Sequence, residues 1–457
     1  MGILPQTASR VLASAVHGTL APDVNDKSPE SRSRAAFRYR SFRFYVPARF
    51  LTTIGSEMQS VAVGWQVYEL THRPLDLGLV GLAQFLPGIC LFLIAGHAAD
   101  RFPRRRILQT CFAAFCTCSV LLLAFTLHGL SSPRTIYLVL VLNGAVRAFA
   151  MPTSQAFVPL LVPKEIFPNA VAWLFNAFQT ATISGPMVGG VLYGLTGRPV
   201  VVYACAGFSY FVALLLLTQV HATQTQVRAE VRPRTEGAPG VALHGLRYIW
   251  RNKLILGAMS LDLFAVLLGG AVALLPVYAR EILKIGATGL GILRSAPGVG
   301  AVITGLIVAH WPLRRWAGAT MLACVFSFGL FTVAFGISHN VAISLIMLFL
   351  IGASDTISVL VRHVMIQLST PDEMRGRVSA VNAVFIGASN EVGQFESGIT
   401  AQWFGTVPAV VLGGVGTMLI VAVWIWLFPQ LRKMDRLVTH QPASASMEEP
   451  DRGAVTG

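Results

Sequence analysis

The sequence predicts an all-α polytopic membrane protein whose twelve transmembrane helices form two six-helix bundles. Only 12% of the 457 residues are charged, whereas roughly 25% is usual for a globular protein. Residues of the AVILMFWYC set make up 54%, and the mean hydropathy is +0.63. A soluble protein of this length could not cover its surface with so few charges, so most of the chain is expected to face lipid or other apolar helices.

Twelve apolar segments are each close to the length of about 20 residues that a membrane-spanning helix needs. Their Gly and Pro residues are compatible with spanning helices, because neighbouring helices can satisfy the backbone. The segments are 46–69, 77–97, 106–128, 134–157, 168–195, 199–220, 254–279, 287–309, 316–338, 341–366, 378–403 and 406–428.

The polar stretches divide the chain into predicted domains. Residues 1–45 form an N-terminal tail without the apolar region of a signal peptide, 221–253 a basic linker and 429–457 a C-terminal tail. The six-helix bundles are then 46–220 and 254–428.

Basic residues fall mainly on one side of the predicted membrane. The chain has 35 Lys and Arg against 21 Asp and Glu, and 27 of those 35 lie in or beside segments on the side of the N terminus. The positive-inside rule then places both termini in the cytoplasm of a plasma (inner) membrane protein. The net charge of +14 is therefore interpreted as a record of topology within a lipid bilayer, and no nucleic-acid partner is expected.

The two halves of the chain resemble each other at a nearly constant offset. Gly96 and Pro103 correspond to Gly305 and Pro312, and Val67-Tyr68 corresponds to Val277-Tyr278. Pro163-Lys164-Glu165 similarly corresponds to Pro371-Asp372-Glu373. Because each half contains an even number of helices, the repeat is parallel, and a substrate site is expected near the midplane between the halves.

Several motifs resemble those of the major facilitator superfamily. The segment GHAADRFPRRR at 96–106 is similar to the loop signature of that superfamily, although Pro103 stands where Gly is usual. GPMVGG at 185–190 resembles the antiporter motif of drug exporters. PDEMRGRV at 371–378, LTHRPLDLGLVG at 70–81 and LRSAPGVGA at 293–301 look like the branch of enterobactin-exporter-like and macrolide-efflux-like carriers, the transmembrane secretion effectors.

The resemblance implies roles for two groups of residues. It implies a cytoplasmic gate that locks the outward-open state, in which Arg101 or Arg105 pairs with Asp100 across the interface between the halves. The gate residues are Gly96, Asp100, Arg101 and Arg105. The second group, Gly185, Pro186, Gly189 and Gly190, allows close helix packing. It is interpreted either as packing alone or as a flexible seal suited to exchange.

Ionisable residues inside the predicted spans are the sharpest functional signal, because each is costly in lipid. Glu57 and Arg147 lie in the middle of helices 1 and 4, which line the cavity in the family. They are predicted to form a charge pair or a proton and substrate switch, with a static structural pair as the alternative. Asp262, Asp355 and Glu391 are further candidates for coupling, with Arg294 and Arg362 as possible counter-ions.

The predicted function is secondary active transport: proton-coupled efflux of an amphipathic drug-like or siderophore-like small molecule by alternating access, performed by a monomer. An uptake permease or a lysophospholipid flippase of the same fold, and a receptor or scaffold, are the alternatives. The six cysteines lack metal-ligand spacing, and the sequence has no HExxH, GxSxG or GxxxxGK motif. No metal, cofactor or enzyme activity is therefore expected.

Overall fold

The chain folds almost entirely into helices in a computed structural model that describes residues 34–129, 132–221, 246–311 and 316–434. No strand occurs in these ranges. The long helices are α1 (Arg40–Thr71), α2 (Pro74–Arg101), α3 (Arg104–Leu127), α4 (Pro133–Phe157), α5 (Phe167–Thr196), α6 (Pro199–Thr218), α7 (Lys253–Leu268), α8 (Gly286–His310), α9 (Ala317–Gly336), α10 (Val341–Ser369), α11 (Asp372–Phe404) and α12 (Thr406–Leu427). Each of the twelve predicted segments overlaps one of them, which confirms the predicted fold class.

The helix ends follow local sequence signals. Proline occupies the first position of α2, α4 and α6, where its missing N–H would have no partner within the helix. Asn252 and Asn340 cap α7 and α10, each accepting two backbone N–H groups with its side-chain oxygen. Gly197 ends α5 at a positive φ of 65°, which glycine adopts without steric cost.

Helix α7 differs from its prediction as a continuous span over 254–279. It ends at Leu268, and Gly269 and Gly270 separate it from a 3₁₀ turn at Ala271–Leu274. A helical turn at Leu275–Val277 and a π-helical turn at Tyr278–Ile282 follow. The physical reason is the adjacent glycine pair, which weakens a helix interior by about 1 kcal/mol per residue relative to alanine.

Nine helical stretches in the described ranges are long and apolar enough to cross a membrane. The long helices outside this group are α1, α5 and α11. Helices α1 and α11 carry the candidate residues Glu57 and Glu391. The helices with the weakest apolar signal thus include the two that carry these charges.

The helices pack as two halves of six. In the first half α1 packs on α5 and α6, α2 on α4, and α3 on α4 and α6. In the second half α7 packs on α11 and α12, α8 on α10, and α9 on α10 and α12. The main contacts between the halves are α5 with α8 and α2 with α11.

The two ends of the bundle are distinguished by the chain. We call the end with the start of α1 and the α2–α3 connection the basic end, and the opposite end the far end. On α2, a Cβ added to Gly78 would lie 3.1 Å from Phe395, and one added to Gly81 would lie 3.2 Å from Gln394. Gly88 and Gly96 lie on the same face nearer the basic end, and no described atom lies within 4 Å of an added Cβ there.

The same change occurs along α8 and α11. An added Cβ on Gly291 would lie 2.5 Å from the Pro186 carbonyl, and one on Gly298 would lie 2.7 Å from Ile183 of α5. Gly305, two turns further on the same face, has no such neighbour among the described residues, and neither do Gly376 and Gly387 on α11. The halves therefore touch towards the far end and separate towards the basic end, which leaves a cleft between them.

Candidate functional site

Four charged side chains from both halves lie where the halves begin to separate. Glu57 of α1 and Arg147 of α4 belong to the first half, and Arg294 of α8 and Glu391 of α11 to the second. Arg147 Nη1 lies 3.8 Å from Glu391 Oε1. We call these four residues the interface cluster. Each half contributes one acid and one base, so the cluster is formally neutral.

Amide and hydroxyl groups orient the charges of the interface cluster. Arg147 Nη1 donates a hydrogen bond to Gln84 Oε1 over 3.1 Å, and Arg294 Nη2 donates to Ser60 Oγ over 2.8 Å. Gln394 Nε2 lies 3.3 Å from Glu391 Oε2, to which it donates. Because Ser60 belongs to α1 and Arg294 to α8, one of these hydrogen bonds also joins the two halves.

The cluster is accessible from the cleft. The side chain of Arg147 is 51% exposed and that of Glu391 is 19% exposed. Since this ion pair joins the two halves, its exposed part faces the space between them. An ion pair that remains partly solvated can exchange partners at low cost, so a molecule that enters the cleft can reach these charges.

Glu57 differs in its contacts from the sequence prediction. Its carboxylate lies within electrostatic range of Arg294 and then of Arg147, whereas the ion pair of Arg147 is made with Glu391. Glu57 and Arg147 thus belong to a four-residue arrangement, and their predicted role as a charge pair or switch stays a prediction. Arg147 also bonds Gln84 of α2, which packs against α11.

The glycine motif of α5 fits that helix between α1 and α8. A Cβ on Gly185 would lie 2.5 Å from the Cβ of Glu57, and one on Gly189 would lie 2.8 Å from Met58 Cα. A Cβ on Gly190 would lie 2.7 Å from the Ala287 carbonyl, and the Pro186 carbonyl lies close to Gly291. Because these glycines have no side chain, the backbones of α1, α5 and α8 can approach closely. Gly185 in particular leaves room for the side chain of Glu57 at its observed position.

A second charged group lies within the second half. Arg362 of α10 forms an ion pair with Asp262 of α7, and both residues are buried. Asp355, two turns before Arg362 on α10, lines a small cavity together with Asp262 and Ser358. We call Asp262, Asp355, Ser358 and Arg362 the C-half cluster. It has two acids and one base, and it makes no contact with the cleft-facing charges.

The predicted gate residues lie at the open basic end. Arg105 donates to the Thr218 carbonyl of its own half, and its neighbour Arg104 donates to the Ala156 carbonyl over 2.8 Å. Gly96 and Arg101 stand at the separated end of α2, and the side chain of Asp100 lies outside the described residues. In this conformation Arg105 therefore bonds within one half, and its role in closing the basic end remains a prediction.

Polar contacts join the halves at the far end. Arg280 Nη1 lies 3.7 Å from Glu69 Oε1 across the halves. Within the first half, Tyr193 donates to Glu69 Oε2 over 2.9 Å. The Tyr68 hydroxyl donates to Glu281. The sequence motifs do not identify this connection. The internal repeat contains the relevant signal, because Tyr68 corresponds to Tyr278. This correspondence places the end of α1 beside the segment that carries Arg280.

Other members of the site were also missed. Ser60 and Gln84 were not selected, although Gln84 stands in the apolar stretch LAQFL, and an intramembrane amide is a recognisable signal. Arg294 was considered only as a counter-ion. Within the described ranges, no group of three His, Cys, Asp or Glu side chains is placed to hold a metal ion.

Comparisons with known proteins agree with this architecture. A family model described as transmembrane secretion effector matches residues 31–456. The enterobactin exporter EntS of Shigella boydii serotype 4 (strain Sb227) is 24% identical over 412 residues, which cover 89% of this chain and 96% of the exporter. EntS of Escherichia coli (strain SMS-3-5 / SECEC) matches with the same identity and the same coverage.

Solved transporter structures share the fold. A bacterial homologue of the human lysosomal transporter Spinster, in an inward-facing and occupied conformation, has a TM-score of 0.68 at 13% identity and covers 89% of this chain and 98% of its own. A D-xylose–proton symporter has a TM-score of 0.63 at 15% identity, with coverage of 85% and 98%. The chain is a multi-pass membrane transporter and not an enzyme, and it belongs to the transmembrane secretion effector family within the major facilitator superfamily.

Proposed function

We propose that this transporter exports an amphipathic, drug-like or siderophore-like small molecule in exchange for protons. The observation that carries the proposal is the interface cluster, in which each half contributes one acid and one base at the closed end of the cleft. Its charges come from both halves of one chain, which is why the proposal needs only a monomer. Both halves can act on the same ligand or proton, and this is the condition for alternating access around a central site.

The proposed orientation places the basic end in the cytoplasm of the plasma (inner) membrane. The support is the excess of Lys and Arg in the connections at that end, which the positive-inside rule assigns to the cytoplasm. On this orientation the cleft opens to the cytoplasm and both termini are cytoplasmic. The described conformation is then the one in which an exporter takes up its substrate.

The proposed exchange takes place between Arg147, Glu391 and Glu57. A cationic group of the substrate can pair with the carboxylate of Glu391 or Glu57, where it takes the place of a proton or of the Arg147 guanidinium. An anionic group of the substrate can instead pair with Arg147 or Arg294. Either event removes the Arg147–Glu391 attraction between the halves. The equilibrium between the conformation that is open at the basic end and the one that is open at the far end then shifts. The size of the shift is the difference between the free energies with which the substrate binds the two conformations.

The siderophore-like class is supported by the relatives that are named enterobactin exporters. The site adds a physical argument, because two guanidinium groups beside two carboxylates can bind a molecule that carries several oxygen and nitrogen groups.

The test is efflux by everted membrane vesicles. Enterobactin-type siderophores, macrolides, cationic dyes and lysolipids are each offered with and without a proton gradient. We expect gradient-dependent transport of at least one of them. Glu57→Gln and Glu391→Gln should lower it about 5- to 150-fold, the range of a coupling free energy of 1–3 kcal/mol.

The matched control is Glu165→Gln, which changes an exposed glutamate in the α4–α5 connection and should transport as the parent does. Each variant is compared at equal amounts of inserted protein. Transport without any gradient dependence, or undiminished proton-coupled transport by Glu57→Gln and Glu391→Gln, would contradict the proposal. Substrate-dependent movement in the opposite direction only would identify an uptake carrier instead.

A further inference from the structure

The C-half cluster surrounds a small cavity between α7, α9 and α10. The cavity has a volume of about 10 Å³, which is close to the least that holds one water-sized particle. Its polar lining consists of Asp262, Asp355 and Ser358. The rest of the wall is formed by Ala265, Val266, Cys324, Val325 and Phe328. The oxygen atoms of this site are therefore held in apolar surroundings.

The charges around the cavity do not balance. Arg362, which is 3% exposed, forms an ion pair with Asp262. Within the described part of the chain, Asp355 makes no ion pair and no hydrogen bond. If both acids are ionised, the cluster carries one uncompensated negative charge. Asp355 itself is only partly buried, but a carboxylate without a counter-ion in a membrane-spanning helix is unfavourable, so a positive charge at Asp355 would stabilise it.

Ser358 provides an independent sign of a ligand. It is 4% exposed and lines the cavity. Its hydroxyl has no hydrogen-bond partner among the described residues, whereas other helical hydroxyls here, such as Thr356, donate to the carbonyl four residues earlier. Ser358 lies one turn after Asp355 on the same face of α10. Since Ser358 is a buried residue that lines the cavity, its hydroxyl oxygen is available to a particle there.

We propose that this cavity is a binding site for one monovalent cation, either a proton carried by Asp355 or a sodium ion held by the oxygens of Asp355, Asp262 and Ser358. The site lies inside one half and is distinct from the interface cluster. Sodium prefers oxygen ligands as other hard cations do, and one unit of positive charge neutralises the cluster. Its use as a coupling site rests on the proposed transport function, but the binding itself does not.

Few other charged or titratable groups face the cavity. They are Asp262 on α7 and Cys324 on α9, with Arg362 on α10 itself. Helix α8 also packs on α10, but its charged residue within the span, Arg294, points to Ser60 of α1. A dependence of stability on pH or sodium that Asp355→Asn removes is therefore assigned to this site.

The test measures binding by the purified full-length protein in detergent. Thermal unfolding is followed from pH 5 to pH 9, in sodium chloride and in choline chloride of equal ionic strength. If the cation is sodium, we expect the Tm to rise with sodium but not with choline. Ser358→Ala should then raise the half-saturating sodium concentration by about tenfold, in line with the effect of losing a supporting ligand.

If the cation is a proton, sodium and choline give the same Tm. The parent then loses stability as the pH rises and Asp355 gives up its proton. In both cases Asp355→Asn removes the dependence and unfolds at a Tm at least equal to that of the fully occupied parent, because the amide carries no charge.

Two results would overturn the site: equal sodium and pH dependence in the parent and in Asp355→Asn, or an Asp355→Asn variant that does not fold. The control is Glu396→Gln, which changes a partly buried acid of α11 that already accepts a hydrogen bond from Thr400. It should keep the dependence of the parent. Because no transport is measured, this result is independent of the efflux assay, and either proposal can fail alone.

Discussion

The interface cluster and the C-half cluster use the same kinds of side chain in different surroundings. The interface cluster is neutral, spans both halves and contains an arginine that is 51% exposed. The C-half cluster has an excess acid, lies within one half and contains an arginine that is 3% exposed. The difference indicates that solvated, balanced charges suit an exchange of partners between conformations, whereas buried, unbalanced charges suit the retention of an ion.

The largest loss of stability is expected for a substitution in the buried C-half cluster. Arg362→Gln removes the only base of the C-half cluster and leaves Asp262 unpaired in the second half. Loss of one partner of a buried ion pair costs about 3–5 kcal/mol, so the variant should unfold at a much lower temperature in a detergent melting experiment.

A second substitution separates charge from packing in that variant. Asp262→Asn added to Arg362→Gln should restore most of the lost stability, because the orphaned charge disappears. A Tm of Arg362→Gln equal to that of the parent would show that the pair is not buried as described. Arg280→Gln, at a half-exposed pair, should change stability by only about 0–1 kcal/mol.

An intermediate effect is expected where the interface cluster depends on backbone packing. Gly185→Ala would place a Cβ 2.5 Å from the Cβ of Glu57 and 3.2 Å from the Ile54 carbonyl. Overpacking of this kind costs about 1–3 kcal/mol, and displacement of Glu57 should also reduce transport. Both are measured on the same purified variant, by melting and by transport after reconstitution.

The matched control for this variant is Gly88→Ala. An added Cβ at Gly88 has no atom of the described residues within 4 Å, so the melting temperature should stay within error of the parent. Equal behaviour of the two alanine variants would contradict the close approach of α5 to α1.

The smallest loss of stability is expected for a substitution in the partly exposed interface cluster. Arg147→Gln removes an ion pair whose arginine remains half solvated, and pairs of this kind contribute about 0–1 kcal/mol. Transport should nevertheless fall strongly, because the attraction between the halves is lost. The ratio of transport loss to stability loss should therefore be high here and low for Arg362→Gln. A variant that melts early and still transports would reverse the assignment of the two clusters.

Much of the fold was predictable, because each spanning helix must be apolar over about 20 residues and this property is local. Predicted and observed boundaries agree closely, as for α4 at Pro133–Phe157 and α8 at Gly286–His310. The interruption of α7 was not predicted, since a glycine pair inside an apolar run breaks a helix only when neighbours accommodate it. Here the backbone of Gly270 approaches Gly393 of α11.

The site was predictable in part. Its ionisable residues could be selected because charge is rare in lipid-facing helices. Their partners could not be assigned, because Arg147 is joined to Glu391 through the packing of α2 against α11. Likewise Arg362 pairs with Asp262 of α7, a partner that helix periodicity along α10 cannot identify. Tertiary contacts between distant segments decide both pairs.

The break in α7 has a consequence for how the far end opens. Helix α1 is continuous through the bundle, but the segment Ala271–Ile282 that carries Arg280 and Glu281 is attached to α7 only through Gly269 and Gly270. It can therefore move about the two glycines while the body of α7 stays packed. Passage through the far end would then require the movement of one short segment. That movement would have to break the polar contacts of the segment with α1 and also its buried contacts with α9, where Tyr278 donates to the Gly336 carbonyl.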